Sequence, residues 1–591
     1  LSVIVDTEQL AKLKNPNFSM DTIDYNDKNV YDYIGTGKCE GMFQLESGGM
    51  KSFMKELKPQ NIEDLIAGIS LYRPGPMDFI PQYIKGKNNP DEVTYDCKQL
   101  ESILQPTYGC IVYQEQVMQI VRDLAGYTWG RSDLVRRAMS KKKTDVMQKE
   151  RHNFIYGNEE EHVAGCVKNG IDENVAGKIF DEMIDFAKYA FNKSHAACYA
   201  VLAYQTAYLK YHYPVEFMAA LMTSVVNNTN KVAEYIYACG QMGIKMLPPD
   251  VNLSGMGFVV EGDSIRFGLS AIKALGKPAI EQILKNKKVD GAFKNMQDFI
   301  KRMYHELNKK MIENLIKAGA FDTFGNNRRQ MIRVYQQMID EEVKQGKDAI
   351  AGQMTLFDFV DDSQKKAFEI KMPNVSEYTK EDLLNFEKEI LGVYISGHPM
   401  DEYVGMWKKN ISAQTVDFMV NEETGEPKVK NDTKQTVGGM ITAKTVKNTK
   451  NGQPMAFLTI EDIMGTVEVI VFPRLYIEYR SIIDSAKMVF ITGRVSANAD
   501  ENAKLISEKI VDFASVPRKL WIRFKDESEY KKNEDKLRSD FADLDGKDSV
   551  VIYCMQENKR ILWPESKNIQ ITSQLLSDLR AIYGNKNVET T

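Results

Sequence analysis

Basic side chains are most concentrated between Arg131 and Arg151, RSDLVRRAMSKKKTDVMQKER, where eight cationic residues stand against three acidic ones. Guanidinium groups such as those of Arg136 and Arg137 can grip phosphate oxygens bidentately, and Lys141, Lys142 and Lys143 add point charge along a phosphate backbone. The same run would equally make a solvated helix face. A second polar cluster, Phe191-Asn192-Lys193-Ser194-His195, lies between apolar helical halves, where an uncompensated lysine is costly to bury. A phosphate would compensate Lys193, Ser194 and His195 would donate hydrogen bonds, and Tyr199 and Tyr204 would offer faces for stacking. The alternative is local: Asn192 or Ser194 caps the following helix and His195 is a satisfied core residue. Arg73, in Tyr72-Arg73-Pro74-Gly75-Pro76, is either presented rigidly by its prolines or part of a plain turn.

Further along, Ala274-Leu275-Gly276 sits between IKA and PAIEQIL, the layout of a helix-hairpin-helix whose amides and helix N-terminus hold a DNA phosphate without reading sequence. Lys273 and Lys277 flank the turn, with Lys285, Lys287 and Lys288 beyond it. Ala274 replaces the usual first glycine, which puts the tight amide geometry in question. Lys317-Ala318-Gly319-Ala320 is a weaker second hairpin. In the later β-rich region, Lys444, Lys447, Lys450, Phe457, Phe472 and Arg474 are candidates for a single-strand-binding face, although Phe457 alternates like a core residue.

These residues must be positioned by several domains, because 591 residues exceed what one hydrophobic core organises. Apolar spacing over 1–245 is helical. Short helical pairs around Gly-containing turns follow within 246–365, at Ile272–Ile280 and Leu315–Phe321, and 366–434 reads as a connecting, partly flexible segment. Five short β-branched runs over 435–512 predict a small closed barrel, with the OB-fold leading. The remainder, 513–591, alternates strand-like and helical patterns and predicts a small α/β domain. The fold class is multidomain α+β. No apolar run approaches the ~20 residues that span a bilayer. Seven cysteines without CxxC or zinc-site spacing point to reduced thiols in a cytoplasmic protein. With a net charge of only −5, attraction to nucleic acid must come from local patches. The chain opens at Leu1 on an amphipathic helix without signal-peptide features, so the natural start is expected to lie upstream.

The stretches GMFQLESGGMK, LYRPGP, PTYGCIVYQEQVMQI, LVRRAMSKKK, FAKYAFNKSHAACYAVLAYQTAYLKYHYPVEFMAAL and LGVYISGHP together resemble the bacterial DNA polymerase III alpha subunits, the C-family replicative polymerases. The resemblance runs in order from near Leu1 to the barrel and more weakly to the C-terminus. It implies that 1–245 is chiefly a fingers domain, with Arg136 and Arg137 as principal triphosphate contacts and Arg73, Lys141, Lys142, Lys143, Lys193, Ser194 and His195 as supporting nucleotide or DNA contacts. For 246–365 it implies a domain that binds duplex DNA through Lys273, Leu275, Gly276 and Lys277. The same domain would bind a sliding clamp through Gln353-Met354-Thr355-Leu356-Phe357, in which Met354 departs from the family's leucine. The barrel residues Lys444, Phe457, Phe472 and Arg474 would meet single-stranded template.

The family's reaction, transfer of a nucleotide from a dNTP to a primer 3′-hydroxyl on primed DNA, uses two Mg²⁺ ions held by three palm aspartates. The resemblance locates those aspartates before Leu1, and no Asp-x-Asp on an apolar strand stands in 1–250. The chain therefore reads as a C-terminal fragment that should not polymerise alone. In some family members the C-terminal region contacts a clamp-loader subunit. A non-catalytic nucleic-acid-binding scaffold and an RNA-binding synthetase-like protein are the competing readings, and neither accounts for RRAMSKKK together with FNKSHAACYA.

Overall fold

The computed structural model describes residues 1–591 except 74, 141–143, 188–190, 351–369, 421–425, 450, 499–500 and 543; at 140, 144–145, 185–187, 345–350, 402 and 573 it describes the backbone alone. The chain forms two compact units, Leu1–Ser224 and Val225–Thr591.

The first unit is helical. Its core shows why the apolar spacing reads as it does: Val117, Ile120, Val121 and Leu124 lie on one face of the helix Gln114–Ala125 and pack with Phe154, Phe180 and Met183. The helix Lys193–His212 begins where the Asn192 side chain accepts a hydrogen bond from His195 N at 2.9 Å. Ala196, Ala200, Ala203 and Ala207 form a stripe at 0% exposure, and these small side chains allow close packing against the helix Ile62–Leu71.

The second unit starts with the helix Thr229–Gln241 and a small sheet of three-residue strands, β1 (Lys245–Leu247), β2 (Val259–Glu261) and β3 (Ser264–Arg266), in the order β1-β3-β2. These strands were not legible as such, because three residues are too few to show alternation. The expected first helical arm of the hairpin is also absent. After β3 comes only a 3₁₀ turn, Leu269–Ala271, and then the helix Lys277–Asp290 with Pro278 in its first turn. The few residues between Arg266 and Ala274 leave no room for a stable α-helix.

Strands β4 (Lys434–Asn448), β5 (Pro454–Glu461), β6 (Thr466–Val471), β7 (Met488–Ser496) and β8 (Lys504–Asp512) close a barrel in the order β4-β5-β6-β8-β7, the five-stranded OB-fold architecture. Gly493 permits that closure, since a Cβ there would lie 2.1 Å from the Ile506 carbonyl oxygen, beside the shift in β7–β8 register. The segment read as connecting supplies the helices Lys380–Leu391 and Val404–Asn410. Trp407, 2% exposed, donates from Nε1 to the Gly438 carbonyl at 2.7 Å and joins Met400, Met406, Phe490 and Phe513 in a core against the barrel. Last comes a four-stranded sheet in the order β11-β10-β9-β12, from β9 (Lys519–Phe524), β10 (Ser549–Cys554), β11 (Lys559–Leu562) and β12 (Val588–Thr590), with the helices Glu527–Asp540 and Ser573–Tyr583. No helix among the described residues is long and apolar enough to cross a membrane.

Candidate nucleic-acid interface

In the first unit the separate basic segments meet at one splice. Residue Gln114 opens its helix, and its backbone N–H donates to the Phe191 carbonyl at 2.9 Å, while Phe191 N donates to Val112 O at 3.3 Å. Gln116 locks the arrangement from beneath: its Oε1 accepts from Val112 N and Tyr113 N at 2.8 and 3.0 Å, and its Nε2 donates to Thr107 Oγ1 at 2.8 Å and Ile103 O at 3.2 Å. Onto this splice come three cations. Arg136 donates from Nη1 to Gln114 Oε1 at 3.0 Å and from Nη2 to Asp133 at 2.7 Å. Lys193 Nζ lies 2.9 Å from Glu63 and 5.2 Å from the centroid of the Tyr113 ring. Arg73 lies with its guanidinium carbon 3.8 Å from the centroid of the Phe191 ring.

The electrostatics separate these cations. Lys193, read as a buried charge awaiting a phosphate, is half-buried and already paired with Glu63. The Glu115 carboxylate accepts from Lys193 N at 3.0 Å and Asn192 Nδ2 at 3.0 Å, so the positive end of the Lys193–His212 helix is met by an internal anion. Exposed Arg137 shares Asp133 with Arg136, at 2.8 Å. Arg73 is different: among the described residues no carboxylate lies within ion-pairing distance of it, and partial burial pulls its pKa below the ordinary value, opposed by nearby Tyr199.

Other expected residues are distributed as follows. Ser194 and His195 are exposed, and His195 is therefore no core residue. Tyr204 is fully buried with its hydroxyl donating to Asp24 O at 2.7 Å, which removes it as a stacking face. Arg131 pairs with Glu150 at 2.9 Å and with Glu161, Lys149 with Glu161 at 2.7 Å, and Arg151 with Asp181 at 2.8 Å, so much of the basic run is neutralised by Glu150 within it and by Glu161 and Asp181 beyond it. Lys141, Lys142 and Lys143 lie outside the described residues, as do Gln353, Met354, Thr355, Leu356, Phe357 and Lys450. Sequence reasoning missed Glu63, Glu115 and Gln116, for nothing local marks them as partners of such distant residues.

In the second unit the hairpin turn holds Ala274 at φ 63°. The side chains of Lys273 and Lys277 are exposed, Leu275 is buried, and Gly276 caps the helix Lys277–Asp290. Lys273 is fixed through its backbone, donating to Ile390 O at 3.0 Å and accepting from Asn314 Nδ2 at 2.7 Å. The second hairpin serves the fold instead: Arg328 donates to Lys317 O at 2.9 Å and pairs with Asp322 at 2.7 Å around Gly319. On the barrel, half-buried Phe457 and Lys447 share a face, with Nζ 5.4 Å from the ring centroid. Lys444 faces the other way and pairs with Asp484 at 2.6 Å, while Phe472 and Arg474 are exposed at the start of the helix Pro473–Ser485. The expected six-residue face is therefore divided.

Among the described residues no three His, Cys, Asp or Glu side chains come together as a group that could hold a metal ion, so they do not fit the Mg²⁺ ions of the resembled reaction. What this arrangement can do is bind phosphates with arginines and stack bases on aromatic rings.

Residues 1–162 match the bacterial DNA polymerase III alpha subunit finger domain, 243–331 the helix-hairpin-helix motif, and 435–512 the OB-fold nucleic acid binding domain. The chain is 35% identical to the DNA polymerase III subunit alpha of Bacillus subtilis over 588 residues, covering 98% of this chain and 50% of that protein. It is 37% identical to the corresponding subunit of Borreliella burgdorferi over 513 residues, 87% of this chain and 43% of that protein. For Thermus aquaticus the identity is 41% over 477 residues, 78% of this chain and 37% of that protein. The chain spans about half the length, or less, of the curated relatives it matches. Similarity sustained through the finger domain, the hairpin region and the barrel makes this chain a member of the bacterial DNA polymerase III alpha subunit family.

Proposed function

We propose that this chain serves template-directed DNA synthesis in bacterial chromosome replication as the nucleotide-gripping and DNA-binding part of a cytoplasmic DNA polymerase III alpha subunit. One observation carries the reading: Arg73, Arg136 and Lys193, from three distant segments, gather at one splice, and Arg73 stands there against an aromatic ring with no carboxylate partner among the described residues. A bound triphosphate would supply the missing negative charge, with Arg136 released from Asp133 to grip it bidentately. Arg137, Lys141, Lys142, Lys143, Ser194 and His195 would line the approach.

Duplex DNA would be held at Lys273, Leu275, Gly276 and Lys277 through phosphate contacts that carry no sequence information. The pentapeptide Gln353–Phe357 would bind the sliding clamp by inserting Leu356 and Phe357 into an apolar pocket. The barrel's Lys444, Phe457, Phe472 and Arg474 would attend the single strand, and the C-terminal domain would offer a surface to a clamp-loader subunit. Mg²⁺ would be held by aspartates outside this chain, whose own residues bind and orient.

Two measurements test the reading. The 591-residue chain should bind primed DNA but extend no primer with dNTPs and Mg²⁺, and measurable extension would refute the division of labour. In the complete polymerase, Arg73→Ala and Arg136→Ala should each lower kcat/KM for the nucleotide by roughly 10- to 100-fold. Arg73→Lys should recover little, because an ammonium does not stack as a planar guanidinium does. Unchanged kinetics would remove these arginines from the site.

A further inference from the structure

Residues 38–47, outside the set of site residues above, are pinned against the helix Lys193–His212. Lys210, 1% exposed, donates from Nζ to the carbonyls of Lys38 and Glu40, both at 2.8 Å. Thr206 Oγ1 accepts from Phe43 N at 3.0 Å, and the Glu46 carboxylate accepts from Gly41 N at 3.0 Å. Held this way, Gln44 adopts the left-handed conformation at φ 62°. A non-glycine residue there is strained, and strain fixed by so many surrounding bonds is a mark of functional segments. Its result is to present Phe43 at the surface, 38% exposed, where burial would ordinarily be favoured.

Phe43 does not stand alone. Its ring centroid is 5.2 Å from that of Tyr199, Tyr199 is 4.5 Å from His195, and His195 is 5.4 Å from Phe191, the ring that carries Arg73. Four rings from two segments thus run from an exposed edge to a guanidinium that has no carboxylate partner among the described residues. Aromatic faces beside a cation suit nucleic acid, the rings taking bases and the guanidinium a phosphate. Only unpaired bases expose the faces such a ledge needs, since a duplex hides them in its stack.

We infer, resting on the DNA-binding function proposed above, that Phe43 is the outer rung of a ledge, Phe43–Tyr199–His195–Phe191, on which unpaired bases of the template strand stack. Phe43 and the strained Gln44 turn are positioning devices of the template path.

The 591-residue chain tests this with two DNA probes: a primed template whose first unpaired bases are 2-aminopurine, and a blunt duplex of the same sequence. Phe43→Ala should weaken binding of the overhang probe about tenfold, relieve stacking quenching of 2-aminopurine, and leave blunt-duplex affinity unchanged. Phe43→Leu, which keeps an apolar side chain but no ring, should behave like Phe43→Ala, and Phe43→Trp should keep both affinity and quenching. Overhang binding undiminished in Phe43→Ala or Phe43→Leu would overturn the ledge, as would an equal loss on both probes. A raised nucleotide KM in the complete polymerase with overhang binding intact would also overturn it, by assigning the ring to the incoming base. If Arg73→Ala and Arg136→Ala weaken DNA binding while Phe43→Ala does not, only the ledge fails. If the arginine variants change neither DNA binding nor nucleotide kinetics, the functional reading itself fails.

Discussion

Ala274 stands where hairpin turns of this kind usually carry glycine, and its backbone takes the left-handed conformation all the same. The sequence departure therefore left the geometry of the turn in place and moved its consequence into strain. Left-handed backbone costs an L-residue roughly 1–2 kcal/mol. A glycine would relieve that but would add roughly 0.4–1 kcal/mol of unfolded-state entropy to be lost on folding. Ala274→Gly should thus raise the unfolding free energy by about 0.5–1 kcal/mol in urea titration, the steric term exceeding the entropic one. A destabilised variant would mean that the turn does not hold this conformation in solution. Lys193 teaches the complementary lesson. Its cost of burial was legible from its apolar flanks, but its partner was not, because Glu63 lies far upstream on another helix. Local sequence shows that a charge needs compensation without showing what supplies it.

At the scale of elements, legibility followed length. The helices around Phe191–His195 span several turns, and the barrel strands are long β-branched runs, so both were visible as periodicity. Strands β1–β3 and the turn before Ala274 are too short for that signal. The splice between 112–116 and 191–193 was hidden for another reason: it consists of two main-chain hydrogen bonds and one buried glutamine, and a glutamine in an amphipathic helix carries no mark of its role. Gln116 makes four hydrogen bonds at 5% exposure. Replacement by Met keeps the volume but strands two backbone donors and one carbonyl, while the Thr107 hydroxyl keeps its bond to Cys110 O at 2.6 Å. Gln116→Met should therefore cost about 3 kcal/mol or more in urea unfolding, about 1 kcal/mol or more for each of the three buried groups left unpaired. The same variant should weaken DNA binding, because Arg136 and Phe191 are held in place through this segment. A stable variant with full DNA affinity would show that the cations are positioned by something else.

Over the whole molecule, helical spacing and the resemblance put the first boundary near 245, and the first compact unit is Leu1–Ser224. The helix Thr229–Gln241 lies in the second unit, where it packs on β1 and faces the family stretch LGVYISGHP and a barrel turn, far along the chain. Together they enclose a cavity of about 220 Å³ lined by Tyr237, Lys388, Tyr394, His398, Asp401 and Glu461. Burial, reinforced by the Lys388 charge, pushes the His398 imidazole down to about 4. Its Nδ1 accepts from Met400 N at 3.1 Å, which leaves the proton of the neutral ring on Nε2, and Lys388 is itself paired with Glu461. Asp401 is turned to the His398 backbone N–H at 2.7 Å, and Tyr394 meets the ring edge-on at 4.8 Å. An unfolded histidine titrates near 6.5, so between about 6.5 and 4 the unfolded chain binds the proton that the folded chain refuses, and stability rises with pH across that window. The stability conferred by neutral His398 is complete above about pH 6.5, erodes as the pH falls from there, and is lost by about pH 4, a change on the order of 3 kcal/mol. Urea midpoints of the second unit should accordingly drop between pH 7.5 and 5, and His398→Gln, which cannot take up this proton, should flatten that dependence while lowering the midpoint at neutral pH. A parent chain whose midpoint is level across this window would show that the imidazole is open to water, and with it the cavity that joins these three distant segments.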